Sequence, residues 1–519
     1  MHHRAYVAKR LGLLGLSWVL CGLFVVPATA QKRPEKNNME LVGYNDLQGR
    51  GAYMPVVHKQ GDRWIAYIGA QTGTPERVNP LTGKVEFSGT SIVDVTDPKN
   101  PKYLVHIPGE TRTGGLQPSG TGFAPGRFPP GEAEFMQVCD GSVLPHADKS
   151  KFYMLRVFGH SAWEMWDVTD PAKPNKMYDI VSGLTATHRP WWECDTGIAY
   201  LPAGLLGWPI PPSYTKRDSA NHLLIYDLSD PAKATLMRHW GLPGQNPGSP
   251  TRSPIAGLHC VLSTGSKTNR VYITYGNDSD GIWLILDREK LLNGPKEPTD
   301  ENLRYPIIAR VDYPRDMGAH TVFPLPRMEI PEFGKQEGKI RDFVAVVSQQ
   351  VGNECQKGND GQDGSRQMVR IFDVTTESSP VGVAAWTVPE ASGNFCSKGG
   401  RFGPHGSQEE FTPPYYKRVL FVSYYNAGVR ALDIRDPYNP KEIAYFIPEI
   451  NNNTEERCVG EGADRRCKKA IQTNNVTVDA RGYIYIVDHA GSGMHILELT
   501  GPARQVADFS QVAGSAGRQ

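Results

Sequence analysis

The sequence predicts an all-β protein, a seven-bladed β-propeller built from four-stranded antiparallel blades. Three observations lead there. A phrase ending in Asp-Pro recurs along the chain, short β-branched and aromatic runs precede each copy, and turn-forming residues are abundant. The 519 residues include 54 Gly and 41 Pro, about 18% together, against the roughly 12% usual for globular chains and the 25–30% of low-complexity ones. Such an excess suits many short strands joined by tight turns better than long helices.

The phrase SIVDVTDPKNPKYL (91–104) returns as EMWDVTDPAKPNKM (164–177), LLIYDLSDPAKATL (223–236) and VRALDIRDPYNPKEI (429–443). Weaker copies are IWLILDREK (282–290), VRIFDVTTESSP (369–380) and MHILELTG (494–501). With Asp94, Asp167, Asp227, Asp287, Asp373, Asp433 and Glu498 as anchors, the spacings are 73, 60, 60, 86, 60 and 65. A period near 60 residues, repeated seven times, points to a repeat architecture. Each anchor closes a run that reads as a strand. The Asp-Pro after it ends the run, because proline cannot donate to a ladder and the carboxylate can cap the turn. A second run precedes each anchor, as in RWIAYIGAQ, KFYMLRVFG, NRVYITYGN and YIYIVDHAG, and GLHCVLSTG, GAHTVFPLP, GPHGSQEEF and NNVTVDARG read as innermost strands. Outer strands follow in KYLVHIPG and EIAYFIPE. Four-stranded units in a closed ring leave few open edges.

The IVDVTDPxNP phrase resembles the LVIVD repeat of exported bacterial and archaeal propeller proteins, and the likeness spans roughly residues 40–510. The resemblance implies the propeller fold; it implies no particular activity, because one fold hosts many functions.

At the N-terminus, His2, His3, Arg4, Lys9 and Arg10 precede an apolar run from Leu11 to Val26, and Ala28-Thr29-Ala30 follows. Sixteen apolar residues are short for a membrane span, and the small-x-small pattern suits signal peptidase. The reading is a signal peptide over 1–30 and a single propeller domain over 31–519, exported to the periplasm or beyond. Leu20 before Cys21 argues against a lipoprotein cysteine. The whole chain has 56 basic and 55 acidic residues; loss of Arg4, Lys9 and Arg10 leaves 53 against 55. That balance excludes an ordinary nucleic-acid binder and a basic membrane-surface role. Seven cysteines remain, an odd number for an oxidising compartment. Cys458 with Cys467 and Cys355 with Cys396 are the expected pairs. Cys139, Cys194 and Cys260 are left over, at least one of them free, buried or a metal ligand.

The functional reading rests on histidines. Gly257-Leu258-His259, Gly318-Ala319-His320 and Gly403-Pro404-His405 align as innermost-strand entries of three consecutive blades. His259 precedes Asp287 by 28 residues, and His405 precedes Asp433 by the same 28. Equal height on neighbouring innermost strands makes the imidazoles converge at the channel mouth, a set that suits zinc, copper or iron. The glycine two residues earlier is expected to let the chain approach the axis. Blade 3 offers Glu193, the preferred fourth ligand, with Asp195 beside it; blade 7 offers Asn474 and Asn475. Cys194 is a candidate soft ligand that would favour copper. A second tier holds His160, Asp278, Asn426 and His489, and Arg189, Arg315 and Arg401 are placed to orient an anionic group by forked hydrogen bonds. His160, Arg189, Glu193 and His489 are the candidate catalytic residues.

The chain lacks a P-loop, a dinucleotide glycine fingerprint, a G-x-S-x-G elbow and an H-E-x-x-H pair, which removes the common NTPase, dehydrogenase, serine-hydrolase and zincin readings. Two expectations follow. One is a metal-dependent enzyme for a small molecule, an oxidoreductase before a hydrolase, with copper, iron or zinc on His259, His320 and His405. Exported propellers with channel-facing histidines resemble, at fold level only, copper-dependent thiol oxidases of the selenium-binding-protein type and iron-dependent carotenoid oxygenases. Neither family's full motif set occurs. The other expectation is a noncatalytic periplasmic or surface binding scaffold, open to a protein partner, with structural histidines.

Overall fold

The computed structural model describes residues 33–70, 76–109, 133–159, 161–184, 187–204, 208, 222–250, 257–276, 280–314, 317–330, 339–349, 366–459 and 465–510. The leader expected over 1–30 lies outside them. Seven antiparallel blades form a propeller ring. From the axis outward, blade 1 holds Pro55–Gln60, Arg63–Gly69, Val85–Asp94 and Lys102–Gly109, and blade 2 holds Met136–Asp140, Phe152–Phe158, Ala162–Asp167 and Asn175–Ser182. Blade 3 holds Trp191–Trp192, Ile198–Ala203, His222–Asp227 and Thr235–Gly241. Blade 4 follows with Leu258–Ser263, Arg270–Tyr275, Ile282–Asp287 and Ile307–Asp312, and blade 5 with Thr321–Glu329, Ile340–Val347, Val369–Asp373 and Val381–Trp386.

Blades 6 and 7 borrow strands from the N-terminus. Glu35–Asn37 pairs with Lys441–Ile447 at the outer edge of blade 6, outside Val429–Asp433 and Val419–Ser423. Met39–Asn45 pairs with Met494–Leu499 as the outermost strand of blade 7, whose other strands are Ile484–Asp488 and Thr473–Val478. Between the two borrowed strands Asn38 turns through φ 50° and donates its Nδ2 to the Ile443 carbonyl at 2.9 Å. Asparagine tolerates this left-handed corner better than most side chains. The ring is thereby closed by hydrogen bonds between the two ends of the described chain.

Burial falls from the axis outward, which explains the patterns read above. Ile282–Asp287 is buried on both faces and is almost wholly apolar, whereas Asn175–Ser182, an outermost strand, is largely exposed or half-buried. Apolar side chains of adjacent blades interdigitate, and Trp163, Trp240 and Trp283 are fully buried there.

The repeated Asp does what the sequence predicts. Asp94, Asp167, Asp227, Asp373 and Asp433 each end a third strand. Each accepts from the backbone N–H two residues on, at 2.9, 3.0, 2.8, 2.9 and 3.1 Å. Asp287 instead caps the short helix Arg288–Asn293 through Lys290 N at 3.0 Å. In three blades the Thr after the anchor accepts from the N–H at the start of the second strand: Thr96 from Trp64, Thr169 from Phe152 and Thr375 from Asp342. One repeated phrase therefore ties two strands of its blade together.

Among the cysteines, Cys458–Cys467 is bonded as expected, across the hairpin Glu456–Val459 and Arg466–Lys469. Cys396 is disulfide-bonded too, and Cys355, its expected partner, lies outside the described residues. Cys139 and Cys194 form a bond that joins blades 2 and 3, so Cys194 is not available as a soft ligand. Cys260 alone is a free thiol among the described cysteines, and it is buried. No helix of the described residues is long and apolar enough to cross a membrane.

Candidate functional site

The innermost strands all run from one end of the ring, and the residues at their entries meet there. His259 is the second residue of Leu258–Ser263, His320 immediately precedes Thr321–Glu329, and His405 sits in blade 6. In blade 6 the innermost segment is not a regular strand. Isolated bridges join Phe402 to Tyr425 and Ser407 to Val422, and His405 N donates to Ser423 O at 2.9 Å. Proline at 404 has no N–H, and Gly403 has φ 134°, so a ladder cannot continue through this stretch. Gly406 allows a close approach to the axis here: a Cβ on it would stand 3.0 Å from Asn475 Oδ1 and 3.3 Å from His320 Cε1.

The three expected imidazoles are neighbours. The ring centroids of His259 and His320 are 4.0 Å apart, and those of His320 and His405 are 4.5 Å apart. A fourth imidazole, not anticipated from the sequence, extends the row: His188 of blade 3 lies 4.6 Å from His259, centroid to centroid. Tyr53 of blade 1 closes the other side through a 3.1 Å hydrogen bond to His405 Nε2. Glu134 of blade 2 faces His188 Nδ1 at 3.0 Å. Asn474 of blade 7 accepts from His405 Nδ1 through its backbone carbonyl. Every blade thus contributes at one height.

The Nδ1 atoms are committed. Those of His259 and His405 donate to the His320 carbonyl (3.3 Å) and the Asn474 carbonyl, so these two rings turn a lone pair outward at Nε2, while His188 Nδ1 lies against the Glu134 carboxylate. His320 Nδ1 meets Thr321 Oγ1 at 2.7 Å. His188 Nε2 and His259 Nε2 are 2.9 Å apart, and His320 Nε2 is buried without a hydrogen-bond partner. Burial, then the neighbouring His188 and Arg189, hold His259 well below the ordinary histidine range. His320 is lowered similarly by burial, and His405 is lowered to about 3. Among the described residues, no group of three or more His, Cys, Asp or Glu side chains stands ready to hold a metal ion as the side chains lie.

The structure moves the remaining candidates. Glu193 does not reach the imidazoles. It accepts from Arg288 Nε at 2.9 Å, Thr196 Oγ1 at 2.6 Å, Tyr200 OH at 3.0 Å and Ser263 Oγ. Ser263 is four residues past His259 along an extended strand, roughly 13 Å away at about 3.3 Å per residue. With its oxygens taken by a guanidinium and three hydroxyls, Glu193 is a buried structural pair for Arg288. Arg189 is not at the mouth. It lies one layer inward and is 2% exposed; it pairs with Glu409 and donates to Thr321 Oγ1 at 3.3 Å. Free Cys260 stands beside that pair, 3.7 Å from Glu409, with its thiol pushed far up by burial. His489 does belong to the tier around the site, its ring 6.3 Å from that of Tyr53. Arg401 is half-buried there and donates to Tyr425 OH at 3.3 Å. Asn426 is buried in structural bonds to the Phe395 and Gly399 carbonyls. His160, Asp278 and Arg315 lie outside the described residues.

No protein-family model matches the chain, and no curated protein matches it in sequence. Solved propellers are similar to it in shape at very low identity. The Dos1 propeller shares 9% identity over 89% of this chain and 96% of its own, with a TM-score of 0.42. Sqt1 of Chaetomium thermophilum shares 9% over 89% and 98%, with a TM-score of 0.48. A putative 6-phosphogluconolactonase of Bacteroides fragilis shares 9% over 83% and 91%, with a TM-score of 0.41. At these values the likenesses carry no argument about function.

Proposed function

We propose that this is an exported propeller metalloprotein. Copper, iron or zinc would be held by His188, His259, His320 and His405, and the protein would act as a metal-dependent enzyme on a small molecule, as an oxidoreductase before a hydrolase. One observation carries the reading: His188 Nε2 and His259 Nε2 close to 2.9 Å, with the buried, orphaned Nε2 of His320 on the neighbouring ring. A proton on one ring bridges that gap to the lone pair of the other, and a metal ion in its place would take both nitrogens; burial disfavours a proton on His259 itself. The orphaned Nε2 of His320 and the pinned Nδ1 atoms fit the same ligand role, since an acceptor on one ring nitrogen orients the other toward a metal. Imidazole nitrogens suit a borderline transition metal. A bound ion would supply Lewis acidity or a redox couple.

The chain's own residues supply the rest. Tyr53 OH holds His405 Nε2 at 3.1 Å, so it must release that nitrogen for His405 to join a metal, and its hydroxyl then stands as a proton carrier at the edge of the site. Arg401 and His489 stand near enough to receive the polar or anionic end of a ligand. The noncatalytic scaffold reading draws support from the side chains as they lie, since binding requires them to draw onto one centre.

Elemental analysis of the purified mature protein is the test, beside alanine variants of His188, His259, His320 and His405. Near-stoichiometric copper, iron or zinc, lost in the variants, is expected. A wild type free of metal after expression in metal-supplemented medium sinks the metalloprotein and leaves the scaffold.

A further inference from the structure

A second region of the ring, independent of the imidazoles, has the makings of a ligand site. Thr321–Glu329 starts beside His320 and carries Arg327 seven residues on, roughly 23 Å away at about 3.3 Å per residue. At that far end a cavity of about 410 Å³ opens between blades 5 and 6, within the range usual for small-molecule pockets, roughly 300–1,000 Å³.

Its lining divides by chemistry. Met328, Pro413, Pro414 and Tyr416 give it an apolar wall, while Arg327, Lys417, Arg418 and Arg435 bring four cations against the carboxylates of Glu329 and Asp508. Some of these charges are already committed. Arg435 is held by Asp433, Glu329 by Lys339, and Arg418 Nε by the Val506 carbonyl. Arg327 and Lys417 form no ion pair among the described residues. Asp342 lies close, accepting from the Arg327 backbone N–H.

The backbone places these two cations deliberately. The pairing of Thr321–Glu329 with Ile340–Val347 slips between Leu325 and Met328, a bulge that re-aims the intervening side chains. Arg327 within it has φ 54°, and Lys417, on the neighbouring blade, has φ 63°. Two non-glycine residues in the left-handed region, on separate blades and facing one cavity, mark strain of the kind that collects at binding sites.

We propose that this cavity binds a small organic anion, a tetrahedral oxyanion head of phosphate or sulfonate chemistry on an apolar body. Arg327 and Lys417 clasp the head, and Tyr416 and Met328 cover the body. A guanidinium gives the oxyanion a forked donor pair, and the ammonium gives it a point charge.

Calorimetric titration of the full mature protein with phenyl phosphate, benzenesulfonate, inorganic phosphate and uncharged benzyl alcohol tests it. One equivalent of phenyl phosphate or benzenesulfonate is expected to bind, the tighter of the two naming the head group. Inorganic phosphate is expected to bind more weakly and benzyl alcohol not measurably. Arg327→Gln and Lys417→Gln are each expected to weaken binding roughly tenfold or more, the scale of one charge-assisted hydrogen bond, with metal content unchanged. Failure of both aryl anions to bind overturns the proposal, as does undiminished binding in the variants. Should Arg327→Gln lower the melting temperature, Lys417→Gln, in a half-buried turn, decides alone.

Discussion

The two ends of the ring are held by different means. At one end five anchor aspartates repeat the same capped turn and a sixth caps a short helix, each bond modest, mostly exposed and independent of the others. At the other end every blade delivers a different residue, from Tyr53 and Glu134 through four histidines to Asn474, and these residues bond to one another across blades. The first end is redundant, so losing one of the shared turns leaves four alike. The second is a single network, in which every partner but the half-buried His188 is buried and nothing substitutes for one that is lost.

The widest gap between the two ends should show at Arg189. Arg189→Met strands the Glu409 carboxylate in the interior, and removing one partner of a buried pair costs about 3–5 kcal/mol. A urea unfolding midpoint reads the loss, and adding Glu409→Leu should recover much of it. A loss near that of a surface substitution would mean the inner layer is less interdependent than its contacts imply.

Glu410 tests the channel between the two ends. Burial first, then the adjacent Glu409, raises its carboxyl to about 7, while Thr477 bonds it. A carboxyl raised in the folded state binds its proton more tightly there than in the unfolded chain. Its contribution is full below the ordinary glutamate value and is lost as pH climbs toward 7. Glu410→Gln should therefore be the more stable protein at pH 8, by about 1–3 kcal/mol, and match the wild type at pH 4. The histidines act alike in both proteins, so the difference between their pH–stability curves isolates this group.

The smallest effect belongs to the redundant end. Asp433→Ala removes one cap and an exposed pairing with Arg435, a loss of about 1 kcal/mol in the same urea assay. A loss several times larger would show that the turns cooperate.

That contrast also decides what can be read from sequence. The capped turn is local and repeated, so blade number, the middle strands and the anchors are all visible in the text of the chain. His259, His320 and His405 are visible for the same reason, as two of them keep the 28-residue spacing to their anchors. His188 precedes Asp227 by 39 residues and lacks the G-x-H context. Its innermost strand shrinks to Trp191–Trp192, so no innermost-strand pattern marks it. The tie between Glu193 and Arg288 spans two blades and leaves no spacing signature. Tyr53 and Glu134 precede their anchors by 41 and 33 residues and are not typical ligands. Only the assembled ring shows that they share a height with the imidazoles.

The borrowed strands carry a consequence for assembly. Met39–Asn45 is made before any strand of blades 1 to 5, and its partner Met494–Leu499 only after them. Contacts this distant in sequence form slowly, since the loop entropy must be met before they contribute. Early blades can take shape while the chain emerges, yet until the final blade arrives the leading strand remains an open edge. Such an edge invites pairing with other chains. The last blade therefore both completes the ring and ends a window of vulnerability that opens with the first.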